Sequence, residues 1–347
     1  KMDFNLRVAE WYRSHKRPLP WRESKEPYKI WLSEVILQQT QIKQGLPYYL
    51  KFIKKYPSVF ELAKASEDEI LKNWQGLGYY SRARNLHTTA KHIVDKFDGI
   101  FPNSYKDLIK LKGVGDYTAS AIASICFEES VAVLDGNVYR VLSRYFGIHT
   151  PINTGKGFRE FKTLATKLLP LSQFGDYNQA VMDFGAKQCK PVSPDCRKCT
   201  LSEKCIALSD GFVKTLPIKI KNNKILKRYF NFIILKTINN RTILEKRLQK
   251  DIWKELYQFP LIETKVSITK KSLILNDDFK SRFGNKLKSI KLLNSKQIIQ
   301  NLSHQKLHIK FWEIQIDKKL KNSIDWKQTK SYALPIVIAE FINNFSK

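Results

Sequence analysis

A chain of 347 residues, 43% of them hydrophobic, is long enough to bury two or three cores. Lys and Arg number 61 against 32 Asp and Glu, a formal charge of +29; this disfavours cationic partners and points to a polyanion, nucleic acid first, although a Lys-favouring AT-rich genome accounts for part of the excess. No apolar run reaches the roughly 18 residues of a membrane span, and Lys1 to Asn5 lack the apolar core of a secretion signal, so a cytoplasmic protein is expected.

To about residue 210 the pattern is helical, with apolar residues recurring every three or four positions, as in Phe4/Val8/Trp11/Tyr12 and Leu86/Ala90/Ile93/Val94. Pro and Gly interrupt it often, which predicts many short helices. In Trp31 to Gln41, Leu32, Val35 and Ile36 form an apolar arc with Glu34 and Gln38 opposite. Glu34 is then either a solvated carboxylate or, if desolvated, an acid that stays protonated near neutrality. Gln38, Gln39 and Thr40 offer groups that suit base edges. Gly76-Leu77-Gly78-Tyr79 reads as a glycine-bounded turn whose Leu77 and Tyr79 either pack it or wedge between bases.

Leu111 to Ala119 reads as helix, tight glycine turn, helix; Gly113 and Gly115 allow close backbone approach and free N–H groups for a phosphate. Asp135 follows in Val133-Leu134-Asp135-Gly136-Asn137-Val138, where it suits a turn, a helix cap, or the stabilisation of a developing sugar cation. Cys189, Cys196, Cys199 and Cys205 are spaced C-x6-C-x2-C-x5-C and indicate a metal site rather than disulfides. A single C-x2-C suits a [4Fe–4S] cluster better than zinc, which stays the alternative; surrounding Lys and Arg suit a phosphate backbone. Cys126, in an apolar stretch, reads as an inert core residue.

From 211 to 228 the chain carries six basic residues and no acid, and reads as a linker. Beyond it, Tyr229 to Leu235 is a predicted strand, Asn239-Asn240 a hairpin turn into Thr242-Ile243-Leu244, Leu307 to Ile316 a second long strand, and Pro335 to Phe345 a closing helix.

Taken together, the glycine hairpin, Asp135 and the cysteine loop resemble the helix–hairpin–helix DNA glycosylases. Leu19-Pro20-Trp21-Arg22, Trp31 to Gln41, Gly76 to Leu86, Leu134 to Val138, Asn178-Gln179-Ala180 and the cysteine loop resemble MutY adenine DNA glycosylases, nearly continuously over the first 210 residues. The resemblance implies a mainly α helix–hairpin–helix glycosylase fold over 1–210, with the hairpin at about 108–122 and a [4Fe–4S] loop at 189–205. A MutT/Nudix-like α+β domain over 229–347 would recognise 8-oxoguanine, without the glutamate-rich helix of active Nudix hydrolases.

By that resemblance Glu34 protonates adenine, Asp135 stabilises the oxocarbenium ion, and Asn137 supports the water or the acid. Trp21, Arg22 and Gln179 line the base pocket. Gln38, Gln39, Thr40, Leu77, Tyr79, Ser303 and His304 meet the lesion strand, and Gly113 and Gly115 meet the DNA backbone. Tyr117 stands where bifunctional relatives carry a nucleophilic lysine, which implies base removal without an efficient lyase step. Leu302 replaces a stacking phenylalanine, which bears on lesion discrimination. The partner implied is double-stranded DNA with adenine opposite 8-oxoguanine or guanine, bound by a monomeric, nucleoid-associated bacterial enzyme. The rivals are a bifunctional pyrimidine glycosylase, a non-catalytic DNA-binding protein and a zinc module.

Overall fold

The computed structural model describes residues 2–221, 225–237, 239–284, 287–294, 296–315 and 322–345. The chain divides into two compact units, residues 1–64 with 85–221, and residues 65–84 with 222–347. Among the described residues no helix is long and apolar enough to cross a membrane.

The first unit is helical: α1 (Met2–His15), α2 (Pro27–Leu37), α3 (Ile42–Lys55) and α4 (Val59–Lys64) precede the break. α5 (Glu67–Trp74) lies in the other unit, and α6 (Ser81–Phe97) starts there and continues here. α7 (Tyr105–Leu108), α8 (Asp116–Phe127), α9 (Gly136–Phe146), α10 (Gly155–Lys167), α11 (Phe174–Lys187) and α12 (Ile206–Ser209) complete it. Local chemistry sets these boundaries: Pro27 opens α2, Thr154 caps α10 by accepting from the Gly157 N–H, and left-handed Gly147 ends α9. α11 packs on α1, α8 and α9. Its Gly185 makes the last contact possible, because a Cβ there would lie 2.6 Å from that of Asn137.

The second unit is built on two long parallel strands, β1 (Leu226–Lys236) and, later, β8 (Gln305–Gln315), paired in register from Leu226↔Gln305 to Lys236↔Gln315. Between them come β2 (Arg241–Thr242), β3 (Glu245–Lys246), β4 (Tyr257–Gln258), β5 (Leu261–Thr264), α13 (Lys270–Leu275), α14 (Asp277–Phe283), β6 (Ser289–Leu292) and β7 (Ile298–Asn301); β9 (Ile324–Asp325) and α15 (Ile336–Phe345) follow. The sheet order is β5-β1-β8-β6, with β7 also pairing β8. Successive side chains of β1 point to opposite faces. Phe230, Phe232 and Ile234 join the core with α15, while Ile233 and Leu235 join Phe279 and Phe283 of α14. A strand covered on both faces reads as a nearly continuous apolar run, which β1 is.

Three sequence expectations are corrected in detail. The basic segment 211–228 is not a free linker throughout: Ile218 and Ile220 hydrogen-bond to Ile152 and Asn153, and residues 226–228 are already strand; residues 222–224 lie outside those described. The Asn239-Asn240 turn forms, closed between Thr237 and Arg241, but β2 pairs with β9 rather than folding back on β1. Residues 65–84 pack with the C-terminal unit, where Asp68 holds Lys246 at 2.7 Å and Tyr257 at 3.1 Å, and Arg84 donates to the Lys254 carbonyl at 2.8 Å. The strand over Leu307 to Ile316 is present through Gln315, with Ile316 outside the described residues.

Candidate active site

From Ile30 to Ile36 α2 is buried on every side, so Glu34 has no solvent face to point into; it is 7% exposed. Burial pushes its carboxyl up to about 7. The Tyr117 hydroxyl, donating to Oε2 at 2.5 Å, opposes this; the nearby Asp135 charge adds to it, and Arg22 opposes it weakly. Tyr117 itself is held well above its ordinary range by burial and by the Glu34 carboxylate, so it acts as a neutral donor. A carboxyl that still holds a proton at neutral pH can give it to a leaving group.

Asp135 takes the helix-cap role that its sequence setting allows. It caps α9, its Oδ1 accepting from the Val138 N–H at 2.7 Å, while Oδ2 accepts from Asn137 Nδ2 at 2.6 Å. Asn137 is fixed in turn by Arg140, which donates to its Oδ1 at 2.9 Å and to the Gly185 and Cys189 carbonyls at 2.7 Å each. Burial raises the Asp135 pKa, and the Val138 and Asn137 hydrogen bonds oppose the rise. The Asn137 amide therefore reaches Asp135.

The surrounding residues fall into two groups. Arg22 is locked into a bidentate pair with Asp183, at 2.7 and 2.8 Å, and Arg17 joins the same fully buried carboxylate. Trp21 is 4% exposed and lies edge-on to Tyr49. Gln179 is buried on α11; its neighbour Asn178 accepts from the Val133 N–H and donates to the Val131 carbonyl, which fixes the approach to Asp135. Gln38 donates to Thr118 at 3.0 Å, while Gln39 is exposed in a left-handed turn and Thr40 bonds back to the Gln38 carbonyl. Asp183, Asn178 as a brace, and Arg140 were not singled out from the sequence. Their one signal was a charged or polar residue inside an apolar helical run.

Gly113 turns the hairpin at φ +79°, and Gly115 leads into α8 with open space around it. The four cysteines Cys189, Cys196, Cys199 and Cys205 line one cavity of about 30 Å³. Arg144 donates to Cys189 Sγ at 3.5 Å, and the Cys205 thiol faces the Arg144 carbonyl at 3.6 Å. Among the described residues no group of three or more His, Cys, Asp or Glu side chains is placed to hold a metal ion.

In the second unit, Gly76, Leu77, Gly78 and Tyr79 form a turn with positive φ at both glycines and at Tyr79. Leu77 is 5% exposed and packs the turn, whereas Tyr79 is 47% exposed. The Tyr79 hydroxyl hydrogen-bonds Ser303, and both border a cavity of about 580 Å³ with Trp253, Asp251, Leu302 and His304. Leu302 packs against the Phe230–Ile309 core, so this side chain is engaged inward rather than standing free as a stacking group.

Residues 32–166 match the model of the HhH-GPD superfamily of base excision DNA repair proteins, and residues 231–344 match a NUDIX domain. An adenine DNA glycosylase of Buchnera aphidicola subsp. Schizaphis graminum is 36% identical over 349 residues, spanning 99% of this chain and 98% of the relative. The adenine DNA glycosylase of Homo sapiens is 40% identical over 213 residues, 59% of this chain and 39% of the human one. Among solved structures, a thermostable thymine-DNA glycosylase superposes at TM-score 0.56 with 31% identity, covering 60% of this chain and 95% of its own. An endonuclease III–DNA complex superposes at 0.52 with 22% identity, covering 59% and 92%, a likeness of fold alone.

Proposed function

Because this chain belongs to the adenine DNA glycosylase family and is a DNA glycosylase of base excision repair, we propose that it hydrolyses the N-glycosidic bond of adenine opposite 8-oxoguanine or guanine and leaves the strand intact. The observation that carries this reading is the buried Glu34 carboxyl, poised at about 7 against Tyr117 with Asp135 close enough to add to its rise. Glu34 gives its proton to the adenine ring, and the glycosidic electron pair leaves with the base. The positive charge developing on the sugar is stabilised by the Asp135 carboxylate, which Asn137 and the Val138 N–H hold in place. A water then adds to the sugar carbon and gives up its proton to Glu34, by then a carboxylate, which restores the acid.

Tyr117, locked in its bond to Glu34, offers no amine for a Schiff base, which favours a monofunctional reaction. Arg22, Trp21 and Gln179 shape the adenine pocket, with Gln38, Gln39 and Thr40 beside it. Gly113 and Gly115 dock a backbone phosphate of the DNA duplex. Tyr79, Ser303 and His304 read the base opposite adenine; their shared cavity and the Tyr79–Ser303 bond support this.

Cys189, Cys196, Cys199 and Cys205 would hold a [4Fe–4S] cluster. The four thiols lining one cavity, with a single C-x2-C in their spacing, support this reading, and zinc stays the alternative. Bound there it would tie the loop to α9 through Arg144, a structural service. The enzyme would act as a monomer.

Single-turnover release of adenine from a duplex with one adenine opposite 8-oxoguanine, beside a Glu34→Gln variant, tests the reading. Release by the wild type alone, with strand breaks only after hot alkali, is expected. Tight binding without release would leave a DNA-binding protein, and breaks without alkali would restore the bifunctional rival.

A further inference from the structure

Asp116 opens α8 immediately after the Gly113–Gly115 hairpin. A carboxylate at that point stands beside the N–H groups assigned above to a DNA phosphate, and two anions there repel. The structure answers this charge. Lys162 reaches over from α10 and places its ammonium 2.9 Å from Asp116 Oδ1 and 3.0 Å from Oδ2. The same ammonium donates to Ser120 Oγ at 3.0 Å and to the Ala132 carbonyl at 2.7 Å, three residues before Asp135. The Tyr105 ring lies 5.6 Å below it, and the Tyr105 hydroxyl adds a further bond to Asp116 Oδ1 at 2.8 Å.

With side-chain exposures of only 20% and 21%, this is not a loose surface pair. All three ammonium donors are used, so Lys162 is held in one place. We propose that Lys162 is a positioning residue for DNA docking: it neutralises Asp116 and so keeps the glycine hairpin able to accept a backbone phosphate. The inference rests on the reading that this hairpin meets DNA.

Binding of the full-length protein to a fluorescent duplex, measured by anisotropy at two salt concentrations with melting curves alongside, tests it. Lys162→Met is expected to bind about tenfold more weakly at low salt, the size of one unscreened like-charge contact at a surface, with a shallower salt dependence. Asp116→Asn, which leaves the ammonium unopposed, is expected to bind a few-fold more tightly, a readout that does not depend on Lys162→Met folding. The double variant is expected within about twofold of the wild type, because neither charge remains.

A double variant as weak as Lys162→Met would overturn the proposal and leave Lys162 a brace for Ser120 and Ala132. So would Lys162→Met binding as the wild type does. Gly115→Asp separates this failure from that of the parent reading. Its backbone is extended at φ −95° and nothing lies within 4 Å of an added Cβ, so the new acid fits. If it leaves binding unchanged, the hairpin does not meet DNA and the parent reading falls too; if it alone weakens binding, only the role of Lys162 falls.

Discussion

A carboxyl buried in an apolar helix should weaken the fold that holds it, and Glu34→Gln measures by how much. Unfolded, Glu34 loses its proton near its usual 4.5; folded, it keeps the proton up to about 7. Between those values the folded state binds more protons, so this contribution to stability is full below 4.5 and is lost as pH rises through 7. By pH 8 ionising Glu34 in the fold costs about 3 kcal/mol more than in the unfolded chain, and at pH 5 under about 1 kcal/mol. A glutamine has the same shape, can still accept from the Tyr117 hydroxyl and never ionises. Glu34→Gln should therefore be inactive yet melt roughly 6–12 °C above the wild type at pH 8, at about 2–4 °C per kcal/mol for a unit of this size. The gap should nearly close at pH 5. Melting both proteins across that range by calorimetry decides it. A gap independent of pH, or a wild type at least as stable at pH 8, would refute the claim that Glu34 is held protonated by burial.

Removing the Tyr117 hydroxyl takes away the bond that pulls Glu34 down, so Tyr117→Phe should move the alkaline limb of single-turnover adenine release up by about 1–2 pH units; a limb that stays or falls counts against it. Asn137→Ala removes the side-chain amide bond to Asp135 and leaves its backbone bonds to Val138 and residue 137, and release should slow about 10–100-fold while duplex affinity changes little. Ser303→Ala breaks the bond to Tyr79; the preference for adenine opposite 8-oxoguanine over guanine should shrink about tenfold, with an unchanged ratio speaking against that surface as the reader. Cys199→Ser should yield protein with less iron and without the visible absorbance of a cluster, whereas retained zinc with no iron in the wild type would favour the zinc alternative.

The residues proposed to do chemistry were legible because each needs few neighbours. A glycine hairpin, an Asp capping the helix after it, and four cysteines within one loop are local statements, and the fold repeats them: Asp135 does cap α9, and the cysteines do share a cavity. The long strands were equally plain, β1 as a nearly unbroken apolar run and Leu307 to Ile316 by its alternation.

What the sequence left open was decided by distance along the chain. On a helical wheel Glu34 and Gln38 looked like an outer face. Only the packing of α2 on α3 and α8 shows that no outer face exists, and burial is what turns that carboxylate into an acid. That the charge of Arg22 is already answered comes only from Asp183, far along the chain. The short stretch from residue 65 to 84 reads as one more helical segment, and its membership in the C-terminal unit rests on contacts to residues such as Lys246 and Leu334 that no local pattern announces. Local spacing determines which groups are present and which backbone turns they can make; the dielectric around them and their charge partners come from chain segments brought together only by folding.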